Sequence, residues 1–227
     1  MTTAVPAVRN AARTWLENYE AGDTILVAVS GGADSLALAH ALSVESKEFV
    51  ISVIGVTVDH QLQDQSGAQA DKVKAQLKEF GLDCIIKKVV VNLQDGLEAS
   101  ARKARYEALQ EVAHEQKAVA VFLGHTHDDQ AETVLLGLAR GSGTRSLSGM
   151  AVENGIYCRP LLSLTREVTE QACKDFGLEP WSDPHNFNND FTRVRIRREV
   201  IPYLEEKLDP GISRALVRSA ALLRDDA

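Results

Sequence analysis

The amino-acid sequence predicts an α/β domain built on a parallel sheet, with a helical extension at its C-terminal end. Three observations lead there. Between Thr24 and Leu138, apolar β-branched runs alternate with helix-like stretches, an order that gives parallel strands joined by right-handed crossovers. The first, second and fourth strand-like runs are almost continuously apolar, as in strands covered on both faces. After Pro160 the texture changes, and a turn-rich stretch leads into helices.

The first strand is TILVAV, Thr24–Val29. Gly31 and Gly32 follow it, and a helix is expected near Asp34–Leu42. VISVIGVTVD, Val50–Asp59, is the second strand, with a helix over Gly67–Phe80. CIIKKVVV, Cys84–Val91, is the third. The next helix, Leu97–Gln116, repeats Leu97, Ala101, Ala104, Ala108, Leu109 and Val112 at helical spacing. AVAVFLG, Ala118–Gly124, is the fourth strand, before a helix over Asp129–Leu138. IYCRPLL offers a further strand at the sheet margin. LTREVTEQACKDFGL is a short helix stopped by Gly177, and EPWSDPHNFNND is turn-rich. RVRIRREVIPYLEEKL is helical and interrupted at Pro202. A last amphipathic helix carries Ile212, Leu216, Ala220 and Leu223. Residues 1–205 therefore form one domain, and residues 206–227 a helical linker.

Composition narrows the class. The chain has 227 residues, 44% hydrophobic and 25% charged, enough for a sizeable core. No apolar run is long enough to span a bilayer, and the N-terminal stretch lacks the apolar region of a secretory signal. Membrane partners are not expected, and a cytoplasmic location is. Cys84, Cys158 and Cys173 stand far apart, without the pairing of a disulfide framework or a zinc site. The net charge of −7 argues mildly against a nucleic-acid partner. Charge is uneven, however: Arg193, Arg195, Arg197 and Arg198 fall within six residues.

The chemistry concentrates at the strand ends. In SGGADS, Ser30–Ser35, two glycines join a strand to a helix. Loop N–H groups and the helix dipole then converge on an anion site, with Ser30 and Ser35 as added donors. A plain βα turn would explain the glycines but less easily the flanking serines. The lysine of a P-loop is missing. GHTHDDQAET, Gly124–Thr133, brings His125, His127, Asp128, Asp129 and Glu132 to the same sheet edge. Asp129 and Glu132 share a helix face and suit a hard cation. A dipole-stabilised acidic first turn would account for only one or two of these acids. VDHQLQ adds Asp59 and His60, and Arg102 and Arg105 lie three apart on a helix. Arginine forks match phosphate oxygens, although a lone pair on a helix is more often a solvated face.

SGGADS resembles the SGGxDS signature of the PP-loop, or N-type ATP pyrophosphatase, family. VDHQLQ, EASARKARYEAL, GHTHDDQAETVLLGLARGSG, RPLL and DPHNFNNDFTRVRIRREVIPYL extend the resemblance, in order, to the tRNA(Ile)-lysidine synthetases. The resemblance implies a Rossmann-like, adenine nucleotide alpha hydrolase-like fold. It implies ATP and Mg2+ as cofactors, and a loop that holds the β- and γ-phosphates as a leaving pyrophosphate. ATP would adenylate C2 of the wobble cytidine in a tRNA(Ile) with a CAU anticodon. Free L-lysine would then attack C2, releasing AMP and leaving lysidine.

ATP would be held by Ser30, Gly31, Gly32, Ala33, Asp34 and Ser35, with His60 and His125. Asp34, Arg105, Asp129, Glu132 and Arg197 would be catalytic. Asp34 and Asp129 are the implied Mg2+ ligands, although the division of carboxylates between metal and lysine is open. Arg193, Arg195 and Arg198 would contact tRNA. A homodimer is admitted, and the linker would lead to a tRNA-binding part. Gln63 stands where the family pattern has arginine. The alternatives are another PP-loop enzyme, such as a tRNA thiolase or an amidating synthetase, and a nucleotide-binding module without chemistry.

Overall fold

Every residue of β1 (Thr24–Ala28) after Thr24 is buried, because helices cover both faces of the strand. Ile25 and Val27 pack into one core layer, and Leu26 and Ala28 into the other. This two-sided burial is the physical reason for an unbroken apolar run. The computed structural model describes residues 3–62, 66–91, 96–141, 143–183, 187–208 and 210–225. Gln63 lies outside them.

The sheet runs β3-β2-β1-β4-β6-β5. β2 (Ser52–Asp59), β3 (Asp83–Lys88), β4 (Ala120–Leu123) and β6 (Tyr157–Cys158) are parallel to their neighbours, and β5 (Glu153–Asn154) is antiparallel to β6. Strand order reverses between β1 and β4. The crevice at such a switch point is where open α/β sheets bind ligands. IYCRPLL contributes only the two residues of β6, in a short hairpin with β5.

A helix before β1 has no counterpart among the expected elements. In α1 (Ala4–Leu16), Ala4, Val8, Ala12 and Leu16 are buried at four-residue spacing. Its other side is tied down electrostatically. Arg9 and Arg13 reach Glu45 at 2.5 and 2.7 Å, on α2 (Ala33–Phe49), where the Glu45 side chain is only 2% exposed. α2 also runs seven residues beyond the expected Leu42. Val50 is its left-handed cap, with φ 57°, so the second strand begins at Ser52 rather than Val50. The apolar texture continues across this boundary because Ile51 is buried beneath the cap.

The remaining crossovers are α3 (Ser66–Glu79) and α4 (Leu97–Glu115). After β4 come α5 (His127–Ala139) and α6 (Thr144–Leu147). α7 (Arg166–Asp175) packs on α1 and α2.

Pro202 does not interrupt the arginine-rich helix. It lacks the N–H that would pair one turn back. The chain widens to a π turn over Ile196–Val200, joining α8 (Thr192–Arg195) to α9 (Ile201–Lys207). The last helix, α10 (Ile212–Asp225), docks on α5 and α6. Its Ala220 is fully buried, and Arg224 donates to the carbonyls of Ser148 and Met150.

Candidate active site

The loop between β1 and α2 is shaped by two glycines in different parts of the chain. Gly31 has φ +87°, a region that side chains disfavour, and a Cβ there would sit 2.9 Å from Val73. Gly124, at the end of β4, lies against the backbone of α2. A Cβ would meet Ser35 N and Cα at 3.1 Å. Serines then knit the loop: Ser30 N–H donates to Ser35 Oγ at 3.2 Å, and Ser35 Oγ–H donates to Gly32 O at 2.9 Å. Gly124→Ala is expected to push on backbone rather than on a flexible side chain, at a cost of about 1–3 kcal/mol. Calorimetric titration with ATP should show weaker binding than the loss of thermal stability alone explains.

Two cavities flank this loop. The first, about 260 Å³, opens at the ends of β1 and β2. Ala28, Val29, Val56, Val58 and Val73 form apolar walls, and Ser30, Asp59, His60, Gln69 and Arg105 supply polar groups. The second, about 440 Å³, is strongly charged. Gly32, Ala33 and Asp34 face Arg166, Glu170, Lys174, Arg197 and Arg198 across it. Trp181 lines both cavities, and its N–H donates to Gly31 O at 2.8 Å. No motif pointed to Trp181, because its position depends on a turn returning from distant sequence.

Beside the second cavity lies an ionic cluster. Thr126 caps α5, and Asp129 closes the capping box: Thr126 N–H and Oγ–H donate to Asp129 Oδ2 at 2.9 and 3.1 Å. Asp129 Oδ1 takes Arg166 Nη2 at 2.8 Å and Arg197 Nη2 at 3.4 Å. Glu132 is 1% exposed, with Arg197 Nε at 2.6 Å, Arg166 Nη1 at 3.5 Å and Arg193 Nε at 3.9 Å. Burial alone would raise Asp129, but Arg166, the Thr126 N–H and Arg197 hold it below the usual carboxylate value.

Asp34 differs. Burial pushes it up to about 6, despite hydrogen bonding from Thr169 and the charge of Arg166. His125 is pushed down to about 3 by burial, with Arg105 adding to the effect. Burial and Arg105 also lower His60, so both imidazoles are neutral at working pH. Each has a buried Nδ1 without a hydrogen-bond partner.

The comparisons with known proteins bear on this arrangement. A model of the PP-loop domain matches residues 6–204. A tRNA(Ile)-lysidine synthase of Thermobifida fusca is 51% identical over 98% of this chain and 69% of its own length. This chain belongs to the tRNA(Ile)-lysidine synthase family. A tRNA(Ile)-lysidine synthase of Streptomyces coelicolor is 52% identical, over 89% of this chain and 59% of its own. The chain thus spans about three-fifths to two-thirds of the length of these curated relatives. Among solved structures, a U34-tRNA thiolase of Methanococcus maripaludis has the same fold. Its TM-score is 0.80 at 18% identity, over 97% of this chain and 79% of that one.

The structure sorts the residues that the lysidine synthase resemblance nominated. Ser30, Gly31, Gly32, Ala33, Asp34 and Ser35 form one loop and helix start. His60 and Arg105 line the first cavity, whereas the exposed Arg102 stacks over Tyr106 at 5.0 Å. Arg197 faces the acids from the π turn.

Two groups of these residues already have partners within the chain. Each oxygen of Asp129 already accepts two donors. Arg193 and Arg195 both bond within the chain, Arg193 half-buried and Arg195 exposed. Arg193 turns inward to Glu132 and donates to Thr133 Oγ1 at 3.0 Å. Arg195 is spent on the carbonyls of Asn189 and Asp190 and on Thr192. The arginine cluster splits because its helix has an inner and an outer face. Arg166 and Thr169, which complete the acid cluster, carried no signal beyond an ordinary helix start.

Proposed function

We propose that this chain is the ATP-using core of a tRNA-modifying ligase that makes lysidine. One observation carries the reading. The loop amides at the start of α2 stand between an apolar-walled cavity and a charged one, with Asp34 on the charged side. The first cavity suits adenosine, and the loop suits the β- and γ-phosphates. The α-phosphorus then faces the wobble cytidine of a tRNA(Ile) with a CAU anticodon, and AMP is transferred to its C2 oxygen. Lysine reaches the adenylated base from the second cavity, where Glu170 matches an ammonium group and Lys174 matches a carboxylate.

Arg105 neutralises charge building on the transferred phosphate. The neutral His60 and His125 act as hydrogen-bonding groups, not as acids. Asp129 and Glu132 act by holding Arg166 and Arg197 in place. Asp34 fits Mg2+ better than Asp129 does. Among the described residues its Oδ2 has only the long 3.6 Å approach of Arg166 Nε, and a Mg2+ site of one carboxylate completed by substrate phosphates is common. Mg2+, when bound, would offset phosphate charge.

Incubation with ATP, labelled lysine and tRNA tests the reading. Release of AMP and pyrophosphate should depend on the tRNA, and label should enter it. ATP turnover without any transfer to tRNA would sink the reading. Among the described residues, no helix is long and apolar enough to cross a membrane, in keeping with a cytoplasmic reaction. Sedimentation tests the homodimer. Residues 206–227 are proposed to lead to a tRNA-binding part, although α10 itself is docked on the domain.

Arg193 turns inward and Arg195 is held by two carbonyls at 2.7 and 3.0 Å, whereas the exposed Arg198 and Arg102 bond within the chain only at 3.4 and 3.5 Å and are proposed to meet tRNA phosphates. Each phosphate contact contributes about 0.9 to the slope of log affinity against log salt. Replacing both arginines with alanine is expected to flatten the slope by about 1.8, with little change in base selection. Filter binding across a salt series measures it.

A further inference from the structure

The first turn of α7 touches Asp34 and three acids of α5. Arg166 N–H donates to Asp128 Oδ2 at 2.8 Å. The Arg166 guanidinium reaches Asp129 and Glu132. One turn on, the Thr169 hydroxyl bonds Asp34 Oδ1. Thr169 is fully buried, in a chain whose threonines are mostly at the surface or half-buried. Its Oγ1 also lies 2.9 Å from Arg166 O. The single hydroxyl proton serves one acceptor at a time, and an ionised Asp34 is the stronger one.

We propose that Thr169 is a positioning residue: it anchors one oxygen of Asp34 so that the other is presented to the nucleotide phosphates and their cation. This rests on the nucleotide site proposed above. The geometry argues for an anchor because Asp34 has a competing partner. Arg166 Nε stands 3.6 Å from Asp34 Oδ2, too long for a hydrogen bond. A carboxylate freed at Oδ1 would rotate into that guanidinium and lose its orientation toward the loop. Packing alone does not require the hydroxyl, since valine would fill the same volume against α2.

Thr169→Val and Thr169→Ser separate these roles. Losing an outer hydrogen bond to a cation-binding carboxylate lowers metal affinity or activity by about 10–100-fold. Calorimetric binding of a non-hydrolysable ATP analogue, with and without Mg2+, gives a readout apart from turnover. Thr169→Val is expected to keep Mg2+-free binding and lose most of the Mg2+-dependent gain. Thr169→Ser should restore it. In turnover with tRNA, lysine and Mg2+, Thr169→Val should raise the KM for ATP as well as lower kcat, and Thr169→Ser should recover both.

Wild-type Mg2+ dependence in Thr169→Val would overturn the inference. So would equal losses in both variants, which would mean that the methyl group matters and not the hydroxyl. A wild-type protein that binds the analogue with no gain from Mg2+ also overturns it, because Asp34 would then hold no cation. A wild-type protein that gains from Mg2+ yet transfers nothing to tRNA refutes the lysidine reading and leaves the Thr169 result standing.

Discussion

Asp34→Asn is expected to abolish adenylation while making the protein more stable at neutral pH. The two effects share one cause. Asp34 is a largely buried carboxylate whose pKa rises from 3.8 to about 6. A group raised on folding binds its proton more tightly in the folded state. Stability therefore falls as pH rises from about 4 to about 6, and the full penalty is present above that window. A rise of this size corresponds to about 3 kcal/mol, and asparagine, which carries no charge, should recover 1–3 kcal/mol of it. The shape is kept, and Thr169 can still donate to the amide oxygen. Arg166 retains Asp129, Glu132 and the Asp128 contact at its own N–H. Catalysis, by contrast, needs the charge. Removing one preorganised electrostatic group costs about 10²–10³ in rate. Thermal melts from pH 4 to 8 should show the variant gaining over wild type as pH rises. Equal melting profiles across that range would contradict the assignment.

Glu132→Gln is expected to be the most destabilising conservative substitution in the site. Glu132 is 1% exposed and faces three guanidinium groups. Its charge is needed because those groups are only partly exposed to water. Breaking a buried ion pair by removing one partner typically costs about 3–5 kcal/mol. For a chain of this length, that is a fall in Tm of about 10 °C. The amide also turns a donor toward arginines that have nothing to accept with. Arg197 then keeps at most one of its bonds at 2.6 and 3.1 Å, because the amide has a single acceptor oxygen, and swings out of the second cavity. Single-turnover kinetics should show the lysine step slowed more than adenylate formation. Glu48→Gln is the control: Glu48 pairs with Arg13 at the surface, where solvent screening leaves such pairs little to contribute. An unchanged Tm for Glu132→Gln would mean that the cluster relaxes freely and does not position Arg197.

Much of this protein is decided locally and can be read from the sequence. β1, β2 and β4 are apolar on both faces because both faces are covered, so a short run of valines and leucines announces them. The glycine loop is equally local, since Gly31 needs its positive φ whatever surrounds it. The sheet edge that carries the chemistry follows from the alternation of strands and helices. α1 was also written plainly, in Ala4, Val8, Ala12 and Leu16, but its apolar positions are mostly small and its length modest.

What the tertiary structure alone decided is which charges meet. Asp129 and Glu132 look like a pair awaiting a cation when only α5 is considered. They are neutralised by Arg166, Arg193 and Arg197, from 34 to 68 residues further along the chain. The four clustered arginines look alike in sequence. A helix with a π turn sends Arg193 and Arg197 inward and leaves Arg195 and Arg198 outside. Thr169 and Trp181 gain their significance only because α7 and the following turn fold back on the glycine loop. Hydrophobic period and turn chemistry act over a few residues, so one sequence displays them. Ion pairing and cavity walls depend on distances between segments, and those exist only once the core has set the helices against the sheet.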